Sequence, residues 1–587
     1  MTFQRIRQFQ IKMKKTIATI ALLACTLTAS AQLPSTRYYL TNGKESVTYY
    51  EAIDAWKQID KAAATVKMLS MGATDAGEPL HLVLVSSDKS FTPAQWKQKS
   101  KLVILINNGI HPGEPDGIDA SIWLVKDIVS KKLVLPSNIV LAIIPVYNIG
   151  GSLNRNPFYR IDQDGPSEKG SRGNSQNLDL NRDFIKCDSK EARSFAEIFH
   201  YTQPDILLDN HVSNGADYQH FMTLLTSQHN KLGGVMGEYL NKTLEPAIYA
   251  SMKQKGYDLI PYVNNFSDSP ETGWSAYWDG PRYSSGYASL FNTFAFVPET
   301  HMLKPFPKRV EATYKMMQSF IEYASANAAT IKQTRAQQMQ AQLTQKEFPF
   351  GFSLDKSQYQ EIFFKGYTAG RKPSNVSGLP RLFYDRNKPF EQKVKFYNFY
   401  NPLSIIEKPT AYILPQGWGK VVELLKINKI QMRPLDKDTE MEVEVYRIEE
   451  YKSNPRPYEG HHQNMEVKTS KTVQKIKFRK GDWHIPMNQA ANRFLMEVLE
   501  PTGEDSYFVW NFFDPILGQK EGYSSYVFEE RAEDLLKTNP TIKEKLEQRR
   551  QRDTAFAKNG GAQLQFIYQN SPFAEPNHMR YPVFRVR

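Results

Sequence analysis

Leu102-Val103-Ile104-Leu105-Ile106-Asn107-Asn108-Gly109-Ile110-His111-Pro112-Gly113-Glu114 is the stretch on which the reading of this 587-residue chain turns. Its first five residues form a short, unbroken aliphatic run, the pattern of a strand covered on both faces. The run then breaks into a Gly- and Pro-containing turn that carries a His and a Glu three residues apart. Both side chains of such a turn can point at one metal ion, and zinc accepts an imidazole nitrogen and a carboxylate oxygen. Among the 11 His of the chain, this is the only His-x-x-Glu.

Outward from it, similar runs recur at Leu82–Val85, Ile139–Val146, Ile206–Leu208 and Phe294–Val297. Helical stretches such as Ile118–Ser130, Lys190–His200 and Lys231–Lys255 separate them. This alternation predicts an α/β fold with a mixed, largely parallel sheet flanked by helices. From Val310, apolar residues at Tyr314, Met317, Ile321 and Ala324 trace one helix face, and that helix closes the domain near residue 340. Beyond it the texture is β-rich, with Met441–Tyr446 and Lys475–Phe478 as strands and a helical stretch around Glu529–Arg552. The expected organisation is residues 1–31 as a leader, 32–345 as the α/β domain, and 346–587 as a β-rich accessory region of one or two units.

The leader is read from Arg5, Arg7, Lys12, Lys14 and Lys15, the apolar run Ile17–Leu27, and Ala29-Ser30-Ala31 before Gln32. Basic, apolar and small-residue segments in that order are a cleaved secretory signal, so the protein is expected to be exported, periplasmic or secreted. A second reading takes Leu22-Leu23-Ala24-Cys25 as a lipoprotein acceptor, which would tether the protein to a membrane through Cys25. The 74 basic and 62 acidic residues give a net charge of +12; the leader holds five of the twelve, so +7 remains. A diffuse excess of that size is not the clustered basic stripe of a nucleic-acid binder. After Ile17–Leu27 no apolar run approaches a membrane span. Cys25 and Cys187 are the only cysteines, which excludes a disulfide framework and Cys-based zinc sites in the mature chain.

Three further segments carry chemistry. Asn181-Arg182, within Asn177-Leu178-Asp179-Leu180-Asn181-Arg182-Asp183, can bind a carboxylate through the planar guanidinium fork, or form a surface turn with an Asp–Arg pair. Asp205-Ile206-Leu207-Leu208-Asp209-Asn210-His211 delivers a His at the end of a strand, and Phe294-Ala295-Phe296-Val297-Pro298-Glu299 delivers a carboxylate in the same way. In open α/β sheets the working cleft lies outside the carboxyl ends of the strands.

In this order the motifs resemble those of the zinc carboxypeptidases of the carboxypeptidase A and B family, over roughly residues 45–340. The resemblance implies one zinc ion per chain held by His111, Glu114 and His211. It implies Glu299 as general base, Arg172 as the arginine that polarises the scissile carbonyl, and Asn181 with Arg182 as the grip on a peptide substrate's free C-terminal carboxylate. Arg155 and Arg160 compete for the role of Arg172, and Tyr277, Tyr283 or Tyr287 corresponds to the family's substrate-capping tyrosine. His301 is expected to shape the site rather than bind metal, and His461-His462 reads as exposed loop. Two other functions fit the same residues: an amidohydrolase for cell-wall peptides, and a non-catalytic binding protein that keeps the fold. Nothing in the sequence specifies an oligomeric state.

Overall fold

The computed structural model describes residues 33–265 and 268–587; the expected leader, with Cys25, lies outside the described residues. The central sheet is built from β1 (Val66–Ala73), β2 (Pro79–Val85), β3 (Leu102–Asn108), β4 (Ile139–Ile144), β5 (Ile206–Ser213), β6 (Met222–Thr226), β7 (Ile260–Pro261) and β8 (Phe294–His301). Its order is β1-β2-β4-β3-β5-β8-β6-β7. The middle four, β4, β3, β5 and β8, run parallel; β1 pairs antiparallel with β2, β2 with β4 and β6 with β8, while the short β7 pairs parallel with β6. Every residue of β3, β4 and β5 is buried. That double burial is why these strands read as unbroken aliphatic runs instead of alternating ones.

Alternate residues of each strand feed opposite cores. Ile104, Ile106, Leu141, Ile206, Leu208 and Phe296 face one layer, made with α1 (Tyr49–Ala62), α2 (Asp116–Val129) and α4 (Phe306–Ala326). Val103, Leu105, Ala142, Leu207 and Ala295 face the other, with α3 (Lys190–Thr202). This second core does not stop at the central sheet and its helices. It continues through Phe348, Tyr412, Leu425, Phe494, Trp510 and Tyr581, so the C-terminal region packs against the sheet's α3 side through shared apolar burial.

Two helical expectations are revised. The stretch 231–255 is broken by Gly233 and Gly234, both at positive φ, and by a π-helical turn at Leu240–Leu244. The helix expected to end near residue 340 is two helices, α4 and α5 (Ala328–Thr344), interrupted at Asn327. The C-terminal region is β-rich as expected, with two long antiparallel hairpins. One joins β9 (Gln360–Pro373) to β10 (Pro380–Tyr397), the other β11 (Thr439–Ser453) to β12 (Asn464–Phe478). A cluster of helices at 525–569 forms a small core of its own around Phe528, Leu546 and Tyr568. Among the described residues no helix is long and apolar enough to cross a membrane.

Candidate active site

Three parallel strands deliver the site at their carboxyl ends. β3 stops at Gly109, whose φ of 66° lies where a side chain is strained, and the chain turns so that the Glu114 N–H donates to the His111 carbonyl at 2.8 Å. The next glycine of the turn, Gly113, is required by space: a Cβ there would lie 2.6 Å from Arg160 Cδ and 2.9 Å from the Gly170 carbonyl oxygen. On β5, Asp209 and His211 are two residues apart and share a face, while Asn210 between them bonds Asn108 Oδ1 at 2.8 Å. β8 pairs in parallel with β5 so that Glu299 stands opposite His211.

His111, Glu114 and His211, all buried, come together so that one donor atom from each lies within 4.8 Å of the others. The Nδ1 atoms of His111 and His211 lie 3.2 and 3.1 Å from the two Glu114 oxygens. Each ring is held from behind: Nε2 of His111 meets Asp179 Oδ1 at 3.0 Å, and Nε2 of His211 meets Asp209 Oδ2 at 3.1 Å. A carboxylate behind each imidazole fixes which nitrogen carries the proton and turns the other toward the centre. Two imidazole nitrogens and one carboxylate converging in this way are a donor set that fits zinc.

The charges agree with that fit. Burial works against an ionised Glu114, but Arg160 and His111 outweigh it and hold its carboxyl well below the usual range. Burial likewise works against a charged His211, and the carboxylates of Asp209 and Glu114 overcome it, raising the imidazole well above its ordinary value. Glu299 moves the other way: burial and the charge of Glu114, only partly offset by His211, push its carboxyl upward.

The opposite wall is cationic. Arg172 donates from Nε to Asp179 Oδ2 at 2.9 Å and lies 3.4 Å from His111 Nδ1. Arg160 donates to Glu114 Oε1 at 2.7 Å and to the Val212 carbonyl at 2.9 Å. Both arginines therefore reach the centre, whereas Arg155 is turned to the carbonyls of Ser46 and Val47. Asn181 accepts the Ser284 N–H through its side-chain oxygen, which leaves its amide N–H groups for the cavity. Arg182 donates from Nε to Tyr458 Oη at 3.0 Å and from one terminal nitrogen to the Asn181 carbonyl at 2.8 Å, and its guanidinium lies 4.5 Å from the Tyr283 ring. Its other terminal nitrogen is in no hydrogen bond among the described residues.

All seven expected residues line one cavity of about 400 Å³. Tyr277 and Tyr283 line it as well, and Tyr287 does not, being buried against Asn428 and His200. His301 is turned away: its Nε2 bonds the Ala216 carbonyl at 2.8 Å and its Nδ1 accepts the Leu303 N–H at 3.1 Å. Sequence reasoning missed Asp179 and Asp209 as the carboxylates behind the two histidines. The signal for Asp209 was present, since two residues along a strand is one face. It also missed Tyr262, and Asp279, which lines the cavity while pairing with the buried Lys231 at 2.8 Å.

Residues 53–223 match the family model described as zinc carboxypeptidase. Similar solved structures include carboxypeptidase A of Helicoverpa armigera, 16% identical over 56% of this chain and 87% of that one, with a TM-score of 0.38. A metallo-carboxypeptidase of Burkholderia cenocepacia is 16% identical over 50% of this chain and 70% of that one, with a TM-score of 0.35. The metallo-carboxypeptidase of Pseudomonas aeruginosa, solved in complex with (2-guanidinoethylmercapto)succinic acid, is 14% identical over 51% and 70%, with a TM-score of 0.35. No curated protein matches the chain.

Proposed function

With residues 53–223 a zinc carboxypeptidase domain, we propose that this chain is an exported enzyme that removes the C-terminal residue of peptides. His111, Glu114 and His211 would hold one zinc ion. Bound there, zinc supplies Lewis-acid polarisation of a carbonyl and a water made acidic enough to act as nucleophile near neutral pH.

The remaining steps belong to side chains of this chain. The Glu299 carboxylate takes a proton from the attacking water and returns it to the nitrogen of the leaving amine. Its raised pKa suits both halves of that exchange, because the group must release the proton as readily as it accepts it. Arg172, held by Asp179 through Nε and one terminal nitrogen, has its other terminal nitrogen 3.8 Å from Glu114 Oε1 and donates from it to the oxygen on which negative charge develops. Arg182 and Asn181 receive the substrate's terminal carboxylate, and Tyr277 and Tyr283 border the space occupied by the residue to be released. Export rests on the leader sequence, and residues 32–345 are proposed as the catalytic unit.

The observation that carries this reading is the placing of a His-Glu-His donor set and of Arg182, with one terminal nitrogen in no hydrogen bond among the described residues, in one cavity. The test compares a good peptide substrate as free acid and as C-terminal amide, in wild type and in Arg182→Ala. Losing a charge-assisted anchor costs about 2–5 kcal/mol, or about 30-fold to several thousand-fold in discrimination. The wild type should prefer the free acid and the variant should lose that preference. Equal wild-type cleavage of both would refute the exopeptidase reading.

A further inference from the structure

The strands β11 and β12 end at Ser453 and Asn464, and the loop between them closes on a two-residue turn, Glu459-Gly460, flanked by mutual backbone hydrogen bonds between Tyr458 and His461. Both central residues have positive φ, 50° for Glu459 and 82° for Gly460. Hairpin turns of this kind favour Asn, Asp or Gly at the first position, because other side chains are strained there. Glu459 is therefore in a costly place for a glutamate, and a strained residue that persists invites a functional explanation.

The catalytic wall gives that explanation. Glu459 Oε2 accepts the backbone N–H of Asp179 at 2.8 Å, across 280 residues of sequence. Asp179 is the residue that holds His111 Nε2 and Arg172 Nε. Beside it, Tyr458 Oη accepts from Arg182 Nε at 3.0 Å, across 276 residues. The turn is pinned in turn by His461, expected from the sequence to be exposed loop. Its Nε2 meets Asp188 Oδ2 at 2.8 Å, and its ring and that of Tyr458 both pack on the buried Trp510. One hairpin tip thus touches both the backbone of the residue whose carboxylate stands behind a histidine of the donor set and the arginine proposed to grip substrate.

We infer that this tip is a positioning element of the active site: Glu459 fixes Asp179, and through it His111 and Arg172, while Tyr458 fixes the fork of Arg182. The C-terminal region is on this account part of the catalytic machine and not an appended binding module. The inference rests on the carboxypeptidase reading above. It adds no group that touches the reacting atoms.

Three variants of the full-length zinc-loaded protein test it. Glu459→Gly relieves the strained φ while deleting the carboxylate, so its melting temperature should equal or exceed that of wild type. Its kcat/KM on the free-acid peptide should fall about 10-fold or more, the size of one hydrogen bond to a charged or buried network. Its zinc dissociation constant, measured by competition with a chelator, should rise about 3-fold or more. Glu459→Gln keeps an acceptor oxygen and should recover most of the lost rate. Tyr458→Phe keeps the packing on Trp510 and should raise KM for the free acid about 10-fold with a much smaller change in kcat. A Glu459→Gly protein that loses stability and activity together would assign the turn a purely structural role and overturn the inference. So would a wild type that discriminates free acid from amide alongside a Tyr458→Phe variant that discriminates equally well. A wild type with no such discrimination would instead overturn the carboxypeptidase reading, and the inference with it.

Discussion

Replacing Asp209 by Asn changes one atom and no volume, yet it should weaken zinc binding substantially. Asp209 is fully buried, with Oδ1 accepting from Asn107 Nδ2 at 2.9 Å and Oδ2 accepting from His211 Nε2 at 3.1 Å. Both partners are donors, so both positions need acceptors, and an amide offers one. If the Asn oxygen keeps Asn107, its NH₂ faces His211 Nε2 and drives the ring proton to Nδ1, the atom that must present a lone pair to the metal. If the amide turns over, two NH₂ groups meet inside the protein. Either arrangement leaves a buried polar group unsatisfied or misdirected, at about 1–3 kcal/mol, which is roughly 5- to 150-fold in the zinc dissociation constant. The range agrees with the 10- to 100-fold typical of such supporting carboxylates. Competition with a chromophoric chelator at fixed pH gives the constant, and circular dichroism checks that the variant is folded. A folded Asp209→Asn protein that binds zinc within about 2-fold of wild type would refute the claim that His211 is a ligand through Nδ1.

Glu299→Gln should keep zinc and fold while losing about two to four orders of magnitude in rate, because the amide retains the shape but cannot accept the proton; a parallel loss of metal, measured by elemental analysis, would make Glu299 a ligand. His301 should make the fold acid-sensitive. Burial pulls its pKa from an ordinary 6.5 to about 4, and its two hydrogen bonds require the neutral ring. Between pH 6.5 and 4 the unfolded chain then binds more protons than the folded one, so this contribution is complete above pH 6.5 and is lost as pH falls toward 4, by about 3 kcal/mol. Urea midpoints at pH 7.5 and 4.5 measure it, and a loss of the same size in His301→Gln would show that another group is responsible.

The catalytic sheet was legible because its middle strands are buried on both faces, which leaves no ambiguity of period in Leu102–Ile106 or Ile139–Ile144. The strands β5 and β8 run to Ser213 and His301, beyond the Leu208 and Val297 read from the sequence, because hydropathy ends where the chemistry begins. Asp209, His211 and Glu299 are polar precisely where the strand enters the site, so the apolar pattern undercounts it. Motif order brought seven residues to one cavity, but it carries no information on what stands behind them. Asp179 looked like half of a surface ion pair; it does lie 3.8 Å from Arg182, and it is also shared by His111 and Arg172. The hairpin tip was least legible of all. Tyr458 and Glu459 act on residues nearly 280 positions away, and no local pattern marks them beyond a glutamate where a turn favours asparagine or glycine.

The most direct test of the account is the zinc content of the purified protein, followed through one cycle of removal and return while hydrolysis of a free-acid peptide is recorded. The account predicts about one zinc per chain, loss of hydrolysis on chelation, and recovery when zinc is restored. Full hydrolysis by protein stripped of metal would contradict it.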